Sequence, residues 1–139
     1  MASAEPPSEK PPDGPPPGED IDFEISFYEA ILKRLPDSID VLMALGNDYT
    51  RSGRHEQGLA VDRRLCELRT RDPIVHYNLA CSCALLGQSE EALKALEQAI
   101  AFGYHDFDYM QRDPDLESLR GDPRYAALVA RASREEFTT

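Results

Sequence analysis

The residues with the most chemical potential lie together at Cys81-Ser82-Cys83, with His76 just upstream. Thiols near an imidazole raise the question of a metal or redox centre. The spacing argues against it. On a helix, residues two apart are rotated by about 200° and point to opposite sides. A zinc site needs about four convergent ligands, commonly in CxxC-like spacing, and this run offers fewer. No metal and no cofactor is expected. The chain also lacks a Ser-His-Asp order, a glycine-rich phosphate loop and an HExxH helix. No catalytic residue is assigned, and the expectation is that the protein is not an enzyme. His55 and His105 fall in expected turns. The runs Arg63-Arg64 and Glu90-Glu91 read as solvated helix faces.

Composition narrows the partners. The chain has 139 residues, enough for one domain. Acidic residues number 26 and basic residues 15, for a net charge of −11. A phosphate-backbone binder needs a basic face, so no nucleic-acid partner is expected. No apolar run of about 18 residues occurs, which argues against a membrane-spanning helix, and residues 1–20 lack the apolar stretch of a secretory leader. No membrane partner is expected. The three cysteines cannot all pair internally, which suits a reducing compartment and a cytoplasmic location. The acidity predicts faster, salt-dependent association with basic surfaces.

The elements that would position any site are helical. Residues 1–20 hold seven of the eleven prolines and five acids against one lysine, with no aromatic or branched aliphatic side chain. Such a segment cannot offset its ordering entropy, so a disordered, proline-rich acidic tail is expected. Pro12, Pro15, Pro16 and Pro17 would suit a ligand for another domain, and a solubilising leader is the plainer reading. From Ile21 the apolar residues Ile21, Ile25, Tyr28, Leu32 and Leu35 recur at helical steps. Pro36 stops that helix, and Asp37 or Ser38 caps the next. A second helix ends near Ser52-Gly53 and a third runs from about Arg54 to Arg69. Asp72-Pro73 opens a fourth, which runs to Leu86-Gly87, and Ser89 opens a fifth.

Sliding the chain against itself by 34 residues superposes Gly53, Gly87 and Gly121, then Gly58, Ala92 and Ala126, then Ile25, Leu59, Leu93 and Ala127. The first set predicts turns with positive φ, which only glycine adopts cheaply. The second predicts close helix crossings, and the third an aliphatic face. Leu42, Leu45, Gly46 and Tyr49, and later Leu79, Ala80 and Cys83 with Ala92, Leu96 and Tyr104, follow the same period. On these residues the chain resembles the tetratricopeptide repeat family. Departures are Asp62 at a large-aromatic place, the lack of tryptophan, and Glu24 where a small residue belongs. The run from Asp113-Pro114-Asp115-Leu116 to Asp122-Pro123-Arg124-Tyr125 is similar to the closing segment of many bacterial members.

The resemblance implies an all-α, right-handed solenoid of antiparallel helix pairs, about seven helices in all. It divides residues 21–139 into a half repeat over 21–38, repeats over 39–72 and 73–106, and a degenerate capping repeat over 107–134. In the last unit Pro114 interrupts the first helix, which predicts a short turn near Asp106–Gln111 and a helical stub from Pro114 to Arg120. Tyr125, Leu128, Val129 and Ala132 are the expected inward face of the final helix.

In the family the first helix of each pair lines a concave surface. The resemblance places Asp40, Met43, Asn47, Thr50 and Arg51 there, then Ile74, Tyr77, Asn78, Cys81 and Ala84, and then Arg112 with Gln111. Some members clamp a chaperone's terminal carboxylate with cations and two asparagines. Asn47 and Asn78 match the asparagines and Arg112 the arginine, but Met43 and Asp108 replace the lysines. A carboxylate needs cations to offset its desolvation, so that clamp is not expected. The function implied is an adaptor or scaffold holding a protein or peptide segment in the groove. The alternatives are a small secretion or export chaperone, or a structural oligomer with an incidental groove. In the last case the leading helix, through Phe23, Phe27 and Ile31, would make a homodimer.

Overall fold

The computed structural model describes residues 19–138. The expected tail lies outside them except for Glu19 and Asp20, which already belong to the first helix. The order is α1 (Glu19–Arg34), α2 (Ile39–Arg51), α3 (His55–Leu68), α4 (Pro73–Leu85), α5 (Ser89–Ala101), α6 (Phe107–Arg112), a 3-10 helix (Pro114–Leu119) and α7 (Pro123–Thr138). No strand occurs among the described residues. Consecutive helices pack on one another: α1 on α2, α2 on α3, α3 on α4 and α4 on α5. The fold is therefore an all-α helical repeat, and no described helix is long and apolar enough to cross a membrane.

Local chemistry sets the boundaries. Of the two possible caps before α2, Ser38 takes the role: its Oγ accepts from the Val41 N–H at 3.4 Å. Asp37 instead pairs with Arg64 on α3. Asp72 accepts from the N–H groups of Ile74 and Val75, with Pro73 in the first turn where its missing donor costs nothing. Asp113 and Asp122 accept from Asp115 N–H and Arg124 N–H in the same way.

Gly53 and Gly87 close α2 and α4 with φ of 81° and 76°. In each turn the glycine N–H and the next N–H reach back to Thr50 and Tyr49, or to Ala84 and Cys83. That double bond to the last carbonyls is the Schellman closure. Gly121 does not repeat it. The third positive-φ glycine is Gly103, φ 117°, which closes α5 through Ile100 and Ala99. The reason is Pro114: the helix before Gly121 is a 3-10 turn whose end, at Arg120, stays right-handed.

The core forms two clusters. One joins Ile21 and Ile25 of α1 to Leu42, Leu45, Tyr49, Val61, Leu65 and Val75. The other runs from α4 and α5 into the last unit, where Met110, Leu116 and Leu119 are fully buried. Leu35, placed on the inner face by periodicity, is 60% exposed because α1 ends one residue earlier. The 34-residue register also fails at α7. Ala126 and Ala127 are exposed, whereas Tyr125, Leu128, Val129 and Ala132 are buried. These answer Ala92, Ala95, Leu96 and Ala99 of α5 one residue earlier than the period requires. The interrupted third unit is one residue shorter up to its closing face.

Candidate functional site

The first helices of the units curve around a cavity of about 350 Å³. From α2 it takes Met43, Asn47 and Thr50; from α4 it takes Ile74, Tyr77, Asn78 and Cys81. These seven are the expected groove residues that the fold brings together. Four others do not line it. Asp40 is exposed at the start of α2. Arg51 turns to Asp48, 3.3 Å away on its own helix. Ala84 is buried, and its carbonyl accepts from Ser118. Arg112 is exposed, its guanidinium 5.8 Å from the centre of the Tyr109 ring. Gln111 is also outside, on Tyr125.

Close packing shapes the floor. A Cβ added at Gly46 would stand 3.3 Å from Val61 Cγ1 and 3.5 Å from Asp62 Oδ1, so α2 and α3 meet where only hydrogen fits easily. Asp62 replaces the family's large aromatic. It is buried and accepts from the Ser82 hydroxyl at 2.5 Å. Burial pushes its carboxyl up to about 6, and the Ser82 bond works against that rise.

One wall was not anticipated. Tyr77 stacks on Tyr104 with ring centres 4.3 Å apart and planes 3° from parallel, and Tyr109 tilts toward Tyr77 at 6.4 Å. Asp113 and Asp115 complete this end of the cavity. The Tyr77 hydroxyl donates to Asp113 Oδ2 at 2.5 Å, and the Cys81 thiol donates to the same oxygen at 3.7 Å. Arg120 holds the loop by donating to the carbonyls of Met110 and Asp113 at 2.7 and 2.6 Å. Burial first, and the Asp113 bond second, drive the Tyr77 hydroxyl far above its ordinary range. Asp113 and Asp115 were legible in sequence only as a cap-and-proline phrase. The long-range contact to Tyr77, on another unit, has no sequence signal.

Cys81, Asp113 and Asp115 bring potential ligand atoms within 4.8 Å of one another. A metal would need the Cys81 thiolate. Burial, then the charges of Asp113 and Asp115, push that thiol well above its usual range, so it holds its proton. Both Asp113 oxygens already accept hydrogen bonds. The trio works as a structural network around the 3-10 helix. Cys83 faces the core, as its rotation from Cys81 requires, and all three cysteines are free. His55 opens α3 rather than lying in the turn before it. His105 does lie in a loop, its ring 3.0 Å from the Gly103 carbonyl. His76 packs against Phe102 and bonds to the Thr70 carbonyl.

Comparison with known proteins agrees with this architecture. Residues 73–103, which comprise α4 and α5, match the tetratricopeptide repeat family. The chain is also 35% identical over 89 residues to a chloroplastic protein of Arabidopsis thaliana. The match takes in 60% of this chain and spans 26% of that protein's length.

Proposed function

We propose that the concave cavity of this chain, whose α4–α5 pair matches the tetratricopeptide repeat family, holds a segment of a partner protein. The observation that carries the reading is the convergence of seven groove positions from two units on one open cavity of about 350 Å³. Asn47 is exposed and Asn78 half-buried. Among the described residues neither side-chain amide takes a hydrogen-bond partner, so both are free to pair with a partner's backbone. Met43 offers a flexible apolar contact, and Ile74 is 47% exposed beside it. An adaptor or scaffold that presents this groove to an extended peptide or short helix fits all three features.

The test is co-purification of tagged full-length protein with its partners, compared with the Asn47→Ala/Asn78→Ala double variant. Neither amide holds a hydrogen bond among the described residues, and circular dichroism of the variant checks that the fold is unchanged. A partner set that depends on the two amides is the expected result. Partners held equally well by the variant would overturn the groove as the binding site.

A second reading has its own observation. Phe23 and Phe27 on α1 are 74% and 53% exposed, and with Tyr28 they edge a second hollow. Two copies paired through this face would form a homodimer. Sedimentation across a wide concentration range decides it, and a monomer throughout would remove the dimer.

A further inference from the structure

We propose that the groove selects a cation: a lysine or arginine side chain on a basic segment of the partner, seated against the exposed Tyr109 ring at the Asp113–Asp115 end. This rests on the groove reading above and names the chemistry of its occupant. The cavity lining contains three carboxylates and no lysine or arginine. Asp62 is satisfied by Ser82, and Asp113 by Tyr77, Cys81 and the Asp115 N–H. Asp115 differs. Among the described residues its half-buried carboxylate accepts no hydrogen bond, and no lysine or arginine forms an ion pair with its carboxylate or with that of Asp113. Charge held in a half-enclosed site without a counter-ion is costly, and an incoming cation relieves that cost.

The surrounding groups suit the rest of such a side chain. Tyr109 is 41% exposed on this wall, beside the buried Tyr77–Tyr104 stack, and an alkylammonium or guanidinium group is attracted to an aromatic face. Arg112 over Tyr109 shows that this ring accepts a guanidinium. Met43 and Ile74, in the same lining, can cover an aliphatic stem. Burial and the charge of Asp113 both raise the Asp115 carboxyl, with His55 the one basic group working against them. An acidic segment would set a further carboxylate beside the unpartnered one of Asp115, so the same site rejects it. The net charge of −11 steers basic segments toward the protein, but only the groove would discriminate position.

The experiment uses the full chain, isotope-labelled for amide spectra. It is titrated with four end-capped peptides of one frame in which lysine, arginine, glutamine or glutamate is followed by serine and leucine. The lysine and arginine peptides should shift the amides of Asn78, Tyr109 and Asp115, and the glutamine and glutamate peptides should not. Asp115→Asn should weaken the basic peptides about tenfold. Glu97→Gln, an exposed acid on α5, should change them less than about twofold. If Asp115→Asn disturbs the fold by circular dichroism, the exposed Tyr109→Leu replaces it, with a loss of about threefold expected. Equal losses in the Asp115 and Glu97 variants would show binding by overall charge and overturn the proposal. Groove shifts with the glutamine or glutamate peptide would overturn cation selection and leave the groove reading standing. Absence of groove shifts with every peptide, while Asn47→Ala/Asn78→Ala still abolishes partner capture, would likewise refute the cation alone. If that double variant captures normally, both readings fall together.

Discussion

The two ends of the solenoid treat a buried carboxylate in opposite ways. Asp113, at the closing end, is 3% exposed and its oxygens receive a hydroxyl, a thiol and a backbone N–H. Asp48, at the leading end, is equally buried. One of its oxygens meets Arg51, and the other, Oδ2, is sealed from solvent without a partner. Glu24 of α1 is the neighbour that answers this. Once protonated it can supply the donor that Oδ2 lacks. The hydrogen bond that protonated Glu24 would donate to Asp48, then burial and the charge of Asp48, push Glu24 up to about 7, against the charge of Arg51. A saturated acid locks the 3-10 helix in place, and an undersupplied acid makes the seating of α1 depend on a proton. The same contrast appears in the apolar residues. Met110, Leu116 and Leu119 vanish into the closing core, while Phe23 and Phe27 of α1 stay outside.

That contrast can be broken from either side. Leu116→Ala should remove about 3 kcal/mol of stability, because the fully buried site has little freedom to collapse on the lost volume. Chemical denaturation measures it, and a loss below that of Ile25→Val, about 1 kcal/mol, would mean the closing end is not the tighter one. Asp113→Ala should cost about 2 kcal/mol, since Tyr77, Cys81 and Asp115 N–H all lose their acceptor. Tyr77→Phe removes one of those bonds and should cost about 1 kcal/mol in the same assay.

The leading end should instead show pH dependence. Glu24 lies near 7 in the folded chain against 4.5 unfolded. The folded state therefore binds the proton more tightly. The stabilisation is fully present below pH 4.5 and is lost as the pH rises through 7. Denaturation midpoints of wild type should fall across that window, and Glu24→Gln, which keeps a donor at every pH, should flatten the fall. An unchanged slope would dissolve the proposed Glu24–Asp48 linkage. The smallest effect belongs to the exposed face of α1: Phe23→Ser/Phe27→Ser should leave stability within about 0.5 kcal/mol. A larger loss in dilute protein would show that these rings already support the fold.

Much of this was legible in residue order. The proline-marked caps at Asp72, Asp113 and Asp122, and the glycine turns at Gly53 and Gly87, are local chemistry and need no knowledge of the fold. Periodicity found the inner face of α7 directly, yet the 34-residue comparison misassigned Ala126 and Ala127. A repeat count assumes equal units, and the 3-10 helix after Pro114 breaks that equality. The groove was read from family register on α2 and α4, where the helices are regular. Register failed for Arg112, beside the irregular unit, for Arg51, whose own helix supplied a nearer acid, and for Asp40 and Ala84, at the exposed start of α2 and in the buried packing of α4.

By itself the sequence determined the helices, their limits and their repeating pairwise order, because capping, proline geometry and apolar spacing act within a few residues of one another. Tertiary structure alone decided that Tyr77 meets Asp113, that Asp62 meets Ser82, and that Asp115 is left facing a cavity without a cation. Those pairings join residues from different units. Their energies depend on burial and on the distance between groups, and neither exists until the helices have stacked.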